Sequence, residues 1–158
     1  MIELAIRAAT IEDSKYVFEW RNDADTRTAS LNTDEVPWAQ HEPWFAAVLK
    51  NPRITLYLVV TAGLPHERVA MCRFNISPTE RSSEISINLN PDFRGQGLAM
   101  SVLTLAIESF IAAQLGIDEI VAMIRLQNIA SLRIFGAAGF AEMEERDGVV
   151  TALWTRRG

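Results

Sequence analysis

The chain has one cysteine, two histidines and no excess of positive charge. Because Cys72 is the single cysteine, no disulfide can close within the chain, and a reducing compartment such as the cytoplasm is expected. Two histidines and one cysteine argue against a zinc site. A net charge of −5 argues against a general nucleic-acid binder.

Long apolar runs are also missing. No stretch approaches the roughly 18 consecutive apolar residues of a membrane-spanning helix, and the first residues lack a signal-peptide pattern, so no membrane partner is expected. The composition is that of a globular protein, with 49% hydrophobic and 22% charged residues. The length predicts one domain over residues 1–158.

The hydrophobic pattern predicts an α/β (α+β) fold, a mixed sheet with helices on both faces. Strands are predicted at 3–8, 54–62, 69–76, 83–89, 117–124, 140–145 and 149–155, the last two joined by a hairpin turn at Asp147-Gly148. Helices are predicted at 10–20, 38–50, 100–115 and 128–138, with Pro43 delaying or breaking the second. Residues 21–36 are predicted to form a polar loop. The resulting order is β-α-α-β-β-β-α-β-α-β-β.

The most informative segment follows strand 83–89 and reads Arg94-Gly95-Gln96-Gly97-Leu98-Ala99, which we call the glycine loop. A strand that leads through glycines into a helix forms an anion site, because the first helical turn has free N–H groups and a partial positive charge. Gly95 and Gly97 have no Cβ atoms, so a pyrophosphate can approach the backbone closely. The pattern therefore predicts a phosphate-binding loop.

Two common nucleotide-binding patterns do not match this loop. A Walker loop requires Gly-x-x-x-x-Gly-Lys-Ser/Thr, which is absent. A dinucleotide fingerprint requires a third glycine where Met100 stands. The acidic residue at the appropriate distance, Asp118, begins the next predicted strand, whereas a ribose-binding acid follows the end of a strand.

The chain resembles the GNAT superfamily of N-acetyltransferases, whose signature is Arg/Gln-x-x-Gly-x-Gly/Ala. Arg94, Gly97 and Ala99 occupy its fixed positions. The downstream segment resembles the second cofactor motif of the family and reads Asn128-x-x-Ser131-x-x-x-Phe135-x-x-x-Gly139-Phe140. The resemblance extends from Arg7 to Trp154. It implies a GNAT fold with a mostly antiparallel central sheet, acetyl-CoA as the co-substrate and no metal.

The resemblance also implies which residues bind acetyl-CoA. Backbone N–H groups of the glycine loop would bind the pyrophosphate, and they belong to Arg94, Gly95, Gln96, Gly97, Leu98 and Ala99. In this fold the strand before the loop separates from its neighbour, so backbone groups near Asn88 and Leu89 would bind the pantetheine arm and polarise the thioester carbonyl. Asn128 would contact the pantetheine or a phosphate, and Phe135 would pack on the cofactor. The residues alone also fit Asn128 as a helix cap, Phe135 as a core residue and Arg94 as a solvated turn residue.

Acetylation of an amine requires its neutral form, which is only about one molecule in 2,500 at pH 7 for a lysine-like amine. A positioned base recovers part of that cost. Glu84, Ser86 and Asn88 share one face of strand 83–89, opposite an apolar face, and are expected to face the acceptor. Glu84 is the predicted general base, directly or through water. Its alternative role is that of a solvated strand residue.

The leaving thiolate often receives a proton from a tyrosine in the second motif of this family. Here Phe135 occupies that position and has no proton to give. Ser131, one helical turn earlier, is the candidate catalytic alternative, acting through its hydroxyl or a water. Protonation by solvent is the simpler route, because a thiol with a pKa near 8.5 is a tolerable leaving group.

The N-terminal third carries the information on the acceptor. Its segments Trp20-Arg21-Asn22-Asp23, Thr26-Arg27-x-x-Ser30 and His41-x-x-Trp44-Phe45 resemble amino-sugar N-acetyltransferases of nonulosonic (pseudaminic-type) pathways, and the related ribosomal-protein N-terminal acetyltransferases have a similar opening. The tryptophans and Phe45 fit a core better than a ligand platform. The predicted substrate-binding residues are Arg21, Asn22, Arg27 and His41.

Three functions remain open from the sequence. The first is acetylation of a small-molecule amine acceptor, an amino sugar or nucleotide sugar. The second is acetylation of a protein N-terminus or lysine, and the third is a non-catalytic acyl-CoA-binding module, which the missing tyrosine keeps open. Acyl chain length and oligomeric state also remain open; the C-terminal hairpin strands are the segments through which a homodimer would pair.

Overall fold

The computed structural model describes residues 2–156, which form one seven-stranded sheet. The strands are β1 (Leu4–Ala8), β2 (Ile54–Thr61), β3 (Arg68–Ile76), β4 (Ser82–Leu89), β5 (Glu119–Arg125), β6 (Ala141–Arg146) and β7 (Val149–Thr155). Their order in the sheet is β1-β2-β3-β4-β5-β7-β6. Only the β4–β5 pair is parallel among the described strands; every other neighbouring pair is antiparallel.

Helices cover both faces of this sheet. They are α1 (Ser14–Asn22), α2 (Ala24–Ala29), α3 (Trp38–Lys50), α4 (Ala99–Ala113) and α5 (Ile129–Ala137). One hydrophobic cluster joins α1 and α3 to β2 and β3, and a larger one joins α4 and α5 to the opposite face. No helix among residues 2–156 is long and apolar enough to cross a membrane.

The fold predicted from the sequence is confirmed, including the mixed, mostly antiparallel sheet. Two local predictions are wrong. The segment predicted as a loop contains α2, a short polar helix whose N-cap Asp23 accepts a hydrogen bond from the Thr26 N–H at 3.1 Å. Pro43 neither delays nor breaks α3, which begins at Trp38; Ala39 and Pro43 are both exposed, so water can replace the backbone bond that the proline lacks.

A buried carboxylate joins the start of α1 to the sheet. Asp13 is fully buried, and its oxygens accept hydrogen bonds from Arg7 on β1 at 2.8 Å and from Arg68 on β3 at 2.7 Å. The Thr10 N–H donates to the same carboxylate at 2.8 Å. Burial alone raises the pKa of Asp13, but these hydrogen bonds outweigh it and lower the pKa to about 2 from 3.8.

Asp13→Asn is expected to lower the free energy of unfolding by about 2–3 kcal/mol at pH 7, because two guanidinium groups lose their shared partner. Since the folded-state pKa is depressed, the contribution of Asp13 is present above pH 4 and is lost as the pH falls from about 4 to about 2. Urea unfolding across that window should therefore show that the difference in free energy of unfolding between variant and wild type shrinks as the pH falls.

The matched control for this substitution is Asp118→Asn, which removes an exposed ion pair with Arg81. It should change stability by less than about 1 kcal/mol. If the two variants were equally stable at pH 7, the account of Asp13 would be wrong.

Candidate functional site

The site begins where β4 and β5 stop pairing. The two strands pair in parallel over Ser82–Glu84 and Glu119–Val121 only, although β4 stays paired with β3 as far as Leu89. From Ile85 onward the edge of β4 that faces β5 therefore has no strand partner. The gap opens into a cleft of about 560 Å³, and the residues that line it come from helices on both faces of the sheet.

The glycine loop lies at one end of this cleft. Arg94 and Ala99 line it, and Gly95–Gly97 are exposed beside it. Within the described residues, the N–H groups of residues 95–98 donate to no protein acceptor, and the first turn of α4 adds further free donors. Gly95 and Gly97 have φ angles of +74° and +69°, which side chains rarely adopt.

The loop is held in place by the residues that precede it. The Asn90 side chain accepts a hydrogen bond from the Asp92 N–H at 3.0 Å and donates to the Arg68 carbonyl on β3 at 2.8 Å. The buried Phe93 ends the turn that follows. The free N–H groups are thus fixed relative to the end of β4, as an anion-binding loop requires.

Helix α5 forms the opposite wall at the same end. Asn128 caps it, since its side-chain oxygen accepts from the Ser131 N–H at 3.1 Å. Phe135 is buried against Phe140, with ring centroids 5.0 Å apart. Asn128, Ser131 and Phe135 all line the cleft. Asn128 is therefore both a helix cap and a wall residue, and Phe135 is both a core residue and a wall residue.

The other end of the cleft is polar and lies under α1 and α2. Ser86 and Asn88 on β4 line it, as do Arg73 on β3 and Arg21 on α1. The polar face of β4 thus borders the cleft, as the sequence predicted. Glu84 shares that face but is exposed, lies where β4 and β5 are still paired, and is not part of the lining.

Helix α2 spans the mouth of the cleft and is tied at both ends. Arg94 of the glycine loop forms an ion pair with Asp23 and donates to the Thr26 hydroxyl at 2.8 Å. At the other end, Arg125 on β5 donates to the Ser30 carbonyl at 3.2 Å. The side chain of Arg94 therefore holds α2 in this structure, and its backbone N–H donates to the Pro91 carbonyl at 3.2 Å. The free N–H groups of the glycine loop thus begin at Gly95.

Three of the predicted substrate-binding residues are not among those that line the cleft. His41 is buried among the aromatic rings of α1 and α3 and contacts the Ser14 hydroxyl at 3.1 Å; burial lowers its pKa. Asn22 bonds the N–H and carbonyl of Val36 at 2.7 Å each and so anchors the loop after α2. Arg27 does not line the cleft. Of the four predicted residues, Arg21 alone lines it.

The sequence interpretation missed Arg73. It interrupts the buried run Ala70-Met71-Cys72 to Phe74, and a single charge inside a buried strand was an available signal. Phe135 stands where the second motif of the family often has a tyrosine. Among the residues that the structure describes, no tyrosine lines the cleft. A second depression of about 530 Å³ lies beside Tyr16 and His66, and Gln96 of the glycine loop also lines it.

The sequence model of the Acetyltransferase (GNAT) domain family matches residues 3–141. The chain belongs to this family and is an acetyl-CoA-dependent N-acetyltransferase. A comparison with curated protein sequences returns no match.

Solved structures share the fold at low sequence identity. Spermidine N-acetyltransferase from Vibrio cholerae, in complex with CoA and spermine, has a TM-score of 0.86 at 16% identity, covering 98% of this chain and 96% of its own. Aminoglycoside acetyltransferase AAC(6')-Ib, in complex with coenzyme A and kanamycin, has a TM-score of 0.80 at 17% identity, covering 98% and 96%. A domain from Methanocaldococcus jannaschii has a TM-score of 0.83 at 16% identity, covering 98% and 99%.

The geometry of the glycine loop fits the co-substrate of this family. Acetyl-CoA supplies an activated acetyl thioester and carries a pyrophosphate, and free N–H groups at a helix start suit that anion. No group of three or more potential metal ligands is found within residues 2–156.

Gly97→Ala is expected to weaken coenzyme A binding at least about tenfold, because a side chain at this φ angle strains the loop and its methyl group occupies the face left open to the pyrophosphate. Isothermal titration calorimetry with coenzyme A measures the effect. Gly63→Ala is the control, since its added Cβ meets nothing within 4 Å and its φ is not positive. Equal affinities in the two variants would contradict the assignment of the loop.

Proposed function

We propose that this acetyltransferase transfers the acetyl group to a primary amine of a small polar acceptor, an amino sugar or nucleotide sugar, by direct attack in a ternary complex. One observation carries the proposal: a single cleft connects the glycine loop to a polar end under α1 and α2. An amine entering from the polar end meets the thioester at the gap between β4 and β5.

The chain's own backbone supplies the electrostatic part of this reaction. Near Asn88 and Leu89 the edge of β4 that faces β5 has no strand partner. A fixed N–H donor there bonds the thioester oxygen as negative charge develops on it, which lowers the barrier. Asn128, Ser131 and Phe135 bound the opposite side, where the pantetheine arm lies in this proposal.

Proton transfer is assigned to one side chain and to solvent. Glu84 accepts the amine proton through water, since its carboxylate is on the polar face of β4 but outside the cleft lining. The leaving thiolate is protonated by solvent, because no tyrosine of the described chain borders the cleft. Ser131, one helical turn before Phe135 and on the wall of the cleft, remains the alternative donor.

The choice of acceptor rests on the size and polarity of the acceptor end. The cleft is covered by α2, and its mouth is narrowed by the bonds of Arg94 and Arg125 to that helix. A compact polar molecule fits such a covered end better than an extended peptide does. Of the segments that resemble nonulosonic-pathway enzymes, Trp20 to Ser30 contributes Arg21 on α1 and several residues of α2 to the wall of the cleft.

The acceptor class is tested by thiol release from acetyl-CoA with a panel of amines. Amino sugars and their nucleotide-linked forms should be acetylated at least about tenfold more efficiently than peptides with a free N-terminus or a lysine. Cys72 is wholly buried and its pKa is raised to about 12, so the thiol that the reagent detects is that of coenzyme A. A preference for peptides would make this a protein acetyltransferase instead.

Glu84→Gln is expected to lower the rate about 100-fold near neutral pH, because the amide cannot accept a proton, and to lower it less at a pH that deprotonates the amine in solution. The measurement is kcat/KM of the amine against pH. Glu108→Gln, an exposed change on α4, is the control and should leave the profile as in the wild type. An unchanged profile for Glu84→Gln would remove Glu84 as the base.

A further inference from the structure

The acceptor end of the cleft contains more positive charge than acetyl transfer to an amine requires. Arg21 and Arg73 line it, and the charge of Arg27 acts on Arg21 from α2. We call these three side chains the arginine cluster. None of them forms an ion pair within residues 2–156.

The arginine cluster has buried donors without acceptors. Arg73 Nε, Arg21 Nη1 and Arg27 Nε are buried and have no hydrogen-bond partner. The other contacts of Arg73 are weak, namely Ser86 Oγ at 3.4 Å and the Trp44 ring with its centroid at 5.4 Å. A buried guanidinium donor without an acceptor costs free energy, so the two arginines that line the cleft, Arg73 and Arg21, favour a ligand that brings oxygens. The other terminal nitrogen of Arg21, Nη2, donates to the Asn32 carbonyl at 2.8 Å.

The charges around the cluster do not neutralise it. Burial lowers the pKa of Arg73; the carboxylate of Glu84 opposes this, and the charge of Arg21 adds to it. The pKa of Arg21 is also lowered, chiefly by burial and further by the charge of Arg27, whereas the carboxylate of Asp34 acts to raise it. Glu84 and Asp34 are both exposed and neither lines the cleft. Among the described residues, the one carboxylate that lines it belongs to Asp25, which is exposed and faces Arg94 at 3.4 Å.

We propose that Arg73 and Arg21 bind a phosphate group of the acceptor, so that this enzyme acetylates a phosphorylated amine and discriminates against polycationic amines. This rests on the proposed function, because it places the amine at the gap between β4 and β5. A guanidinium presents paired donors that match the oxygens of a phosphate. Polyamines and aminoglycosides carry only positive charge and would be repelled by the arginine cluster.

The spacing along β4 favours a phosphate over the carboxylate of an amino acid. Arg73 pairs with Ser86 across the strands, and Asn88 lies two residues further toward the glycine loop. Two residues of a strand span about 7 Å. An α-amino acid carries its carboxylate one carbon from the amine, which is too close. A sugar ring that separates an amine from a phosphate on its anomeric carbon spans this distance.

The test compares matched acceptors with the wild-type enzyme. Amino sugars with the amine at C2, C3 or C4 are each supplied free, as the 1-phosphate and as the UDP-linked form, beside spermidine and kanamycin. At least about tenfold higher kcat/KM for a phosphorylated form than for its free sugar supports the proposal. The 1-phosphate and UDP arms show whether one phosphate suffices or the diphosphate is required.

Arg73→Gln should raise the KM for the phosphorylated acceptor about 10- to 100-fold while leaving kcat and the KM for acetyl-CoA nearly unchanged. Arg73→Lys should restore part of the loss. Arg81→Gln removes the same charge at an exposed site and should change none of these values. If Arg73→Gln does not fold, the wild-type comparison still decides.

Two outcomes separate this proposal from the one on which it rests. Equal or better use of free amino sugars or spermidine by the wild type overturns the phosphate site and leaves amine acetylation intact. Acetyl transfer to none of these amines, free or phosphorylated, overturns both. The phosphate site is also overturned if Arg73→Gln raises the KM for free sugars as much as the KM for phosphorylated sugars.

Discussion

The separation of β4 from β5 is the constraint on which the site depends. The two strands are parallel and pair over only three residues each, after which β4 follows β3 and β5 follows β7. The gap exposes a backbone edge that a continuous sheet would use for hydrogen bonds. It also lets one cleft reach the glycine loop on one face and the arginine cluster on the other. A sheet closed at this point would have neither an acyl-binding edge nor a passage for the amine.

The two ends of the cleft are stabilised by different kinds of interaction. The end near the glycine loop is built from backbone groups fixed by a buried core, in which α4 and Phe135 pack under β4 and β5. The acceptor end is built from side chains on α1, α2, β3 and β4, and polar contacts from Arg94 and Arg125 hold α2 in place. Backbone chemistry suits a co-substrate that is common to a family, whereas side chains can vary with the acceptor. The likeness to polyamine and aminoglycoside acetyltransferases accordingly concerns the fold.

Most of the fold was predictable because strong hydrophobic periodicity and turn residues mark β2, β3, α4 and the hairpin at Asp147-Gly148. The glycine loop was predictable because its glycines and the helix that follows them are adjacent in sequence. Helix α2 was missed because it is polar and short. It is stabilised by the Asp23 cap and by an ion pair with Arg94, a residue that is far from α2 in sequence. His41 was misplaced because a histidine in an aromatic cluster and a histidine in a site have the same sequence pattern. Arg73 meets Arg21 only through the packing of α1 on β3, which no local pattern reports.

The central claim is that free amides of the glycine loop and the unpaired edge of β4 hold coenzyme A at the gap. The most direct measurement is a titration of the labelled protein with coenzyme A, followed by amide chemical shifts. The account predicts large shifts at Gly95, Gly97 and Ala99 together with Asn88 and Leu89, at one common dissociation constant. Shifts confined to Tyr16, His66 and Glu67 in the second depression, with Gly95, Gly97 and Ala99 unaffected, would contradict it.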